Sequence, residues 1–350
     1  MVRYSKLPFR LLALDYGVDL AYTPMMLAKE FVRSEFARQA DFSSRAGRGD
    51  GAGRGDDAPL VVQFGAGTAA DFGRAAEMVR PYCDGVDLNC GCPQSWAVAA
   101  GVGCALMARP ELVRDMVVEA KRRCGPAFAV SIKIRVHGDL DRTRRWVRVV
   151  QDGSGVDYFT VHGRRRSTRS SVPVDLDAIR AVVQVAEVPV FANGDVFTKA
   201  DAQRIVEFTG CDGELASCLS VCDEGGGGGG GRGDADASGG LLVGVMAARG
   251  LLTNPALFAG FERTPWGAVE RFVDYATTYP IPFRLTQHHV SEMLDGLVPK
   301  KERSAINETT NTIVELIDWL DERFVLRRPG EEGFGRTVEI ERRPPAHDIV

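Results

Sequence analysis

Short apolar runs recur along the chain at 20–25, 59–65, 85–89, 129–135, 157–163, 188–195 and 242–247. Several, such as Pro59-Leu60-Val61-Val62 and Val188-Pro189-Val190-Phe191, are continuously apolar, as parallel strands buried on both faces require. Between them, segments such as 110–123 and 140–151 place apolar residues three and four apart, the spacing of an amphipathic helix. Strands alternating with helices predict a parallel α/β architecture. Five of the strands end, on their C-terminal side, in a polar and chemically versatile residue: Gln63, Asn89, Lys133, His162 and Asn193. An open sheet would carry such residues on one or two crevice strands, whereas a closed barrel draws its site from many strand ends. The pattern therefore predicts a (β/α)8 TIM-type barrel over residues 1–258, of which seven strands can be read.

Two stretches break the pattern. Residues 46–57 and 223–240 are rich in glycine and aspartate, lack any period and read as mobile loops. Beyond the barrel the strand signal stops. Segments 265–279, 283–297 and 301–324 read as three amphipathic helices of a small domain spanning 259–326. Residues 327–350, charged and rich in proline and glycine, read as a frayed, disordered tail.

Composition narrows the class. A hydrophobic fraction of 45% and a charged fraction of 26% over 350 residues are those of a globular protein. No apolar run approaches the roughly 20 residues of a membrane span, and the start has no apolar signal region. The net charge of -4 argues against a basic coat over the whole molecule, but arginines cluster at 142–148 and 164–169. The eight cysteines form neither a disulfide framework nor paired zinc ligands. Reduced thiols, a cytoplasmic or nuclear location, no metal and no obligate protein partner are expected. Neither a GxGxxG fingerprint nor a Walker A lysine is present, which excludes a Rossmann dehydrogenase and a P-loop ATPase.

The segment Val86-Asp87-Leu88-Asn89-Cys90-Gly91-Cys92-Pro93 reads as a buried strand ending in a tight turn that exposes one thiol at the barrel mouth. Cys83, Cys90 and Cys124 read as small buried hydrophobes, the commoner fate of a free cysteine. Cys92, between glycine and proline after a strand, reads as chemical. An ordinary thiol, with a pKa of about 8.5, is largely protonated at neutral pH and can act as a general acid. A nucleophilic role would need a neighbouring base, such as His162, or a positive field to form thiolate, and both roles remain open at this level. Lys133, in a β-branched strand, either snorkels to solvent or donates to an anionic ring. Gln63 can both donate and accept, as the pyrimidine edge of a flavin requires. The small residues of Ala192-Asn193-Gly194-Asp195 and Ala247-Ala248-Arg249-Gly250 let backbone approach a phosphate, beside a guanidinium fork.

With those residues in view, the chain resembles the tRNA-dihydrouridine synthases, in the eukaryotic branch associated with D-loop uridines around position 20, including 20a and 20b. The resemblance runs from Met1 to about Phe324 and is carried by MVRYSKLPFR, AYTPMM, VVQFG, VDLNCGCPQ, SIKIR, FTVHGR, VFANGD and VMAARGLLTNP. It implies an FMN cofactor refilled by NADPH or NADH, and a tRNA substrate gripped by the helical domain and nearby arginines. It also implies that Cys92 protonates uracil C5 while reduced FMN delivers hydride to C6. Met1, Gln63, Lys133 and His162 would then lie against the flavin ring, and Asn193, Gly194, Asp195, Ala248 and Arg249 around its phosphate. Three features depart from the family pattern. The chain starts at what looks like the methionine closing the family's first strand, a long segment interrupts 214–244, and Arg165 stands where threonine is usual. Two other readings are a small-molecule pyrimidine oxidoreductase of the dihydroorotate dehydrogenase type and a tRNA-binding relative without catalysis.

Overall fold

The computed structural model describes residues 3–45, 59–211 and 244–344. The glycine- and aspartate-rich stretches 46–57 and 223–240, expected to be mobile loops, lie outside the described residues. Met1 does too.

The strands are β1 (Ala21–Tyr22), β2 (Met26–Leu27), β3 (Leu60–Gly65), β4 (Gly85–Cys90), β5 (Ala129–Arg135), β6 (Tyr158–His162), β7 (Val190–Asn193) and β8 (Val245–Met246). Every pairing is parallel, in the order β1-β3-β4-β5-β6-β7-β8, with β2 also on β3. Helices Ala69–Val79, Pro110–Cys124, Leu140–Gln151, Leu176–Val183 and Lys199–Thr209 return the chain after β3 to β7 in turn. This is the parallel sheet and helical jacket of a (β/α)8 TIM-type fold, with seven strand positions. Among the described residues β8 pairs with β7 and not with β1.

The expected strand at 20–25 is one strand position broken in two. Pro24 lies at the break, where its ring holds φ at about −65°, away from the extended value of about −120° that a parallel strand takes. The register to β3 steps by one residue across it, from Tyr22↔Val61 to Met26↔Phe64. At the break the Thr23 hydroxyl takes the N–H of Gln63 at 3.0 Å, replacing the missing backbone partner.

Alternation along the central strands sorts the side chains by chemistry. Val62, Phe64, Val86, Leu88, Val130, Ile132, Phe159 and Val161 join the apolar core. The residues between them are polar and stack in rows set by the register. Gln63, Asp87 and Ser131 are lateral neighbours leading to Tyr158; Asn89, Lys133 and Thr160 form the next row; Arg135, His162 and Asn193 the last. Layering of inward side chains is what a barrel of parallel strands produces. Here the layers become steadily more polar toward the strand C-termini.

The C-terminal part departs from expectation twice. The single helix expected over 301–324 is two, Lys300–Thr309 and Ile313–Arg323. Thr310 is extended, and Thr312 starts a new helix by accepting the Glu315 N–H. Gln287 fixes the break by donating to the Ile306 and Thr310 carbonyls. The expected frayed tail is also corrected over its described part. Residues 327–344 pack on helix Trp266–Thr278, with Trp266 and Gly267 donating to the Val338 and Thr337 carbonyls. The cause is Glu270, 1% exposed, whose carboxylate accepts the N–H groups of Arg327 and Gly335. A buried carboxylate without those donors would cost several kcal/mol, so the segment is held rather than frayed. Residues 345–350 lie outside the described residues.

Candidate active site

The C-terminal ends of the parallel strands open onto one cavity of about 340 Å³. Cys92, Gln63, Lys133, His162, Asn193, Gly194, Asp195, Ala248 and Arg249 all line it. Met1 lies outside the described residues. Met25, delivered by the break at Pro24, forms part of the wall.

Cys92 follows β4 in a loop held from both sides. The Asn89 Oδ1 accepts the N–H groups of Gly91 at 3.0 Å and Cys92 at 2.8 Å, and the Cys104 N–H donates to the Cys92 carbonyl at 2.9 Å. Gly103 stands against that carbonyl with φ +63, and a Cβ there would lie 2.6 Å from the Cys92 oxygen. Only glycine fits such a backbone and such an approach. Cys92 lines the cavity but is only 8% exposed, so it is less open to bulk solvent than its sequence context suggested. Cys90, two residues earlier, points into the apolar core, and burial drives its thiol well above the ordinary range.

Asn89 is itself oriented. Its Nδ2 donates to Gln63 Oε1 at 2.9 Å, and Gln63 Nε2 donates to Asp87 Oδ2 at 2.9 Å. Asp87 is fully buried and also accepts the Ser131 hydroxyl at 2.8 Å. Burial pushes its carboxyl up, against the hydrogen bonds of Ser131 and Gln63 and the charge of Lys133.

Lys133 donates to Asn193 Oδ1 at 2.6 Å, and Asn193 Nδ2 to the Met246 carbonyl at 2.7 Å. Burial draws the Lys133 ammonium down to about 8, opposed by Asp87 and reinforced by Arg135. His162 is drawn down to about 2, first by burial and then by Lys133, Arg135, Arg164 and Arg249. Its ring is therefore neutral, and Arg164 occupies Nε2 at 3.0 Å, which places the ring proton on Nδ1. A histidine so placed is no base for Cys92.

The opposite wall is ionic. The Asp195 carboxylate, at φ +53, takes Arg164 at 2.6 Å, the Val174 N–H at 2.8 Å and Arg249 at 3.2 Å. Arg164 reads in the sequence as one of a surface cluster, yet it is 3% exposed. Arg165, Arg166 and Arg169 next to it are exposed. Gly194, with φ +123, lets this backbone pass His162 and Val174, since a Cβ would meet Val174 Cγ2 at 2.9 Å.

Sequence reasoning had not assigned Asp87, Arg135, Arg164 or Met25 to the site, and took Asn89 as a strand end only. A polar residue at every second place in an otherwise apolar strand, as in Val86-Asp87-Leu88-Asn89, was the available signal for two of them. Arg135, which donates to the Gly91 carbonyl at 3.0 Å, lies at the same phase of β5 as Lys133.

A TIM-type barrel that gathers a thiol, a buried lysine and an arginine–aspartate cluster around one cavity at its strand C-termini has the form of a barrel enzyme's active site. The chain belongs to the dihydrouridine synthase family, whose sequence profile matches residues 1–218. It is 43% identical to an NAD(P)+-linked tRNA-dihydrouridine(20a/20b) synthase of Schizosaccharomyces pombe, over 97% of this chain and 90% of that one. The Saccharomyces cerevisiae enzyme of the same name is 41% identical over 97% and 83% of the two chains. A similarly named human relative is 38% identical over 93% and 89%.

Proposed function

We propose that this protein reduces a uridine of the tRNA D-loop to 5,6-dihydrouridine, with FMN seated at the strand C-termini and NADPH or NADH as reductant. The observation that carries the reading is the convergence of Cys92, Gln63, Lys133, His162 and Asn193, from five strands or the loops that follow them, on one cavity. The donor set fits an anionic flavin. Lys133 is a cation that burial disfavours and a negative ring would restore, and Gln63 keeps one N–H beyond its bond to Asp87. Arg249, half exposed, has donors to spare beyond its bond to Asp195 and suits a phosphate.

Bound and reduced, FMN would supply a hydride for uracil C6. Cys92 holds a proton on Sγ and gives it to C5. The Asn89 and Cys104 bonds keep that sulfur's backbone in place, and neutral His162 does not compete for the proton. Lys133 and Gln63 would hold the ring, Asn193 aims Lys133, and Gly194, Ala248 and Arg249 would hold the phosphate. Asp195 acts through the two arginines it holds. The uridine leaves the tRNA stack to reach the mouth. There the exposed Arg142, Arg145, Arg165, Arg166 and Arg169, all just beyond the C-terminal ends of β5 and β6, meet its phosphates.

The test is the visible spectrum of the purified protein before and after NADPH under anaerobic conditions, then turnover on unmodified tRNA. A flavin spectrum that bleaches is expected. Cys92→Ala should keep the bleaching and lose uridine reduction by at least about 100-fold, the scale of a lost general acid. A protein that stays colourless after added FMN would leave tRNA binding without catalysis. Turnover of free uracil or dihydroorotate without RNA would move the reading to a pyrimidine oxidoreductase.

A further inference from the structure

We propose that Asp87 is a positioning residue: it sets the direction of the hydrogen-bond relay that fixes the Cys92 loop. The inference rests on Cys92 being the proton donor, and it names a residue for which that reading has no role.

The relay runs from the barrel interior to the loop backbone. Asp87 Oδ2 accepts from Gln63 Nε2, Gln63 Oε1 accepts from Asn89 Nδ2, and Asn89 Oδ1 accepts from the N–H groups of Gly91 and Cys92. Exposures of 0%, 4% and 8% for Asp87, Gln63 and Asn89 leave little room for water to replace any member. Both amides can turn over, and nothing in an amide's shape says which end carries the oxygen. The loop requires an oxygen at its end, because Gly91 and Cys92 present two N–H groups.

That requirement propagates inward. An Asn89 oxygen toward the loop puts its Nδ2 toward Gln63, which puts Gln63 Oε1 toward Asn89 and Gln63 Nε2 inward. The inner end must then be an acceptor. A donor at position 87 would turn Gln63 over, then Asn89, and leave an NH2 facing two backbone N–H groups. Both bonds to the loop would be lost. Asp87 already receives the Ser131 hydroxyl on its other oxygen and, as a carboxylate, has only acceptor atoms to offer. Its side chain acts at a distance, through two amides, on the backbone of the residue that carries the chemistry.

Asp87→Leu and Asp87→Asn separate this role from that of a buried charge: both keep the branched shape of aspartate and remove its charge, asparagine at nearly the same volume and leucine at a larger one. Asparagine can keep its oxygen on Gln63 and give its NH2 to the Ser131 hydroxyl, which can accept. Leucine offers no acceptor, so nothing at the inner end holds Gln63 Nε2 inward and both amides are free to turn over. The readout is the rate at which iodoacetamide alkylates Cys92, followed on the peptide that contains it. It needs neither tRNA nor turnover, so it answers for the relay even if uridine reduction itself is not found. Asp87→Leu should raise that rate by roughly tenfold, the scale of one to two lost hydrogen bonds. It should also lower kcat for tRNA by a similar factor, with KM for tRNA unchanged. Asp87→Asn should stay within about twofold of the parent. Asn89→Leu should match Asp87→Leu, and the double variant should be no worse than either, since both cut one chain. If Asp87→Leu does not fold, Asp87→Leu with Gln63→Leu removes both partners without orphaning a donor between them, and must still show the faster alkylation. Unchanged alkylation in the leucine variants overturns the proposal. So does an asparagine variant as impaired as the leucine one, which would assign the effect to charge.

Discussion

The two walls of the cavity are built from different interactions. Around β4, the Cys92 loop is held by buried, directional hydrogen bonds through two neutral amides ending on one carboxylate. Across the cavity, the β7 and β8 ends are held by one carboxylate shared between two arginines, one buried and one half exposed. Hydrogen bonds between neutral groups are individually modest but specific in geometry. Ionic contacts are tolerant of geometry, and their weight depends on how far water is excluded. A proton donor must be placed, and an anionic group must be compensated. Each wall uses the interaction suited to its task.

The largest expected effect lies on the ionic wall. Asp195→Ala leaves Arg164, with a side chain 2% exposed, without its carboxylate. Removing one partner of a buried pair costs about 3–5 kcal/mol. Urea unfolding should show a loss of that size, and one below about 1 kcal/mol would mean that the Val172 carbonyl and other neighbours suffice for Arg164. On the directional wall, Gly103→Ala places a Cβ 2.6 Å from the Cys92 carbonyl in a left-handed backbone. About 1–3 kcal/mol of strain follows, together with displacement of the loop. A shifted thermal midpoint with unaltered Cys92 alkylation would show that Gly103 yields and the loop does not.

Between the walls, Lys133 should leave a signature in pH. Its folded pKa is about 8 and its ordinary value 10.5, so below pH 8 both states hold the proton. From about 8 to 10.5 the unfolded chain holds more protons, and this residue's contribution raises stability as pH rises. Buried thiols, Cys90 among them, pull the opposite way over that range because their folded pKa is raised. The difference between parent and Lys133→Met therefore carries the test. Whatever advantage methionine has at pH 7.5 should diminish by pH 10, and a pH-independent difference would mean that Lys133 is not penalised by burial.

How much of this was visible in the residues alone also differs between the walls. Strand positions and the polar residue closing each were legible because parallel strands print apolar runs, and a barrel collects their ends. Cys92 stood out through its glycine and proline neighbours. Asp87 did not, because its alternation with Asn89 marks a shared face without saying whether that face is the barrel interior or the surface. Only the register that sets it beside Gln63 and Ser131 decides. The arginine cluster misled in the other direction. Arg164 and Arg165 are adjacent and alike in sequence, but one lies against Asp195 and the other in solvent. The helix expected across 301–324 hid its break because Thr310-Asn311-Thr312 interrupts no apolar period, and capping chemistry alone ends one helix there and begins the next.

The smallest expected effect on stability sharpens the comparison within a single carboxylate. Arg249 reaches Asp195 at 3.2 Å with a side chain 48% exposed. An exposed pair of that kind is worth about 0–1 kcal/mol, since water screens the charges and ordering the side chain has an entropic cost. Arg249→Met should therefore leave the urea midpoint almost unmoved, in contrast to Asp195→Ala, which disturbs the same carboxylate. Its effect belongs elsewhere. If the β7–β8 wall compensates a phosphate, loss of this guanidinium should weaken FMN binding by about tenfold, the size of one charge-assisted hydrogen bond. Titration of the apoprotein by flavin fluorescence reads that directly. Unchanged affinity with unchanged stability would remove Arg249 from the site altogether and leave Lys133 as the cation that the flavin meets.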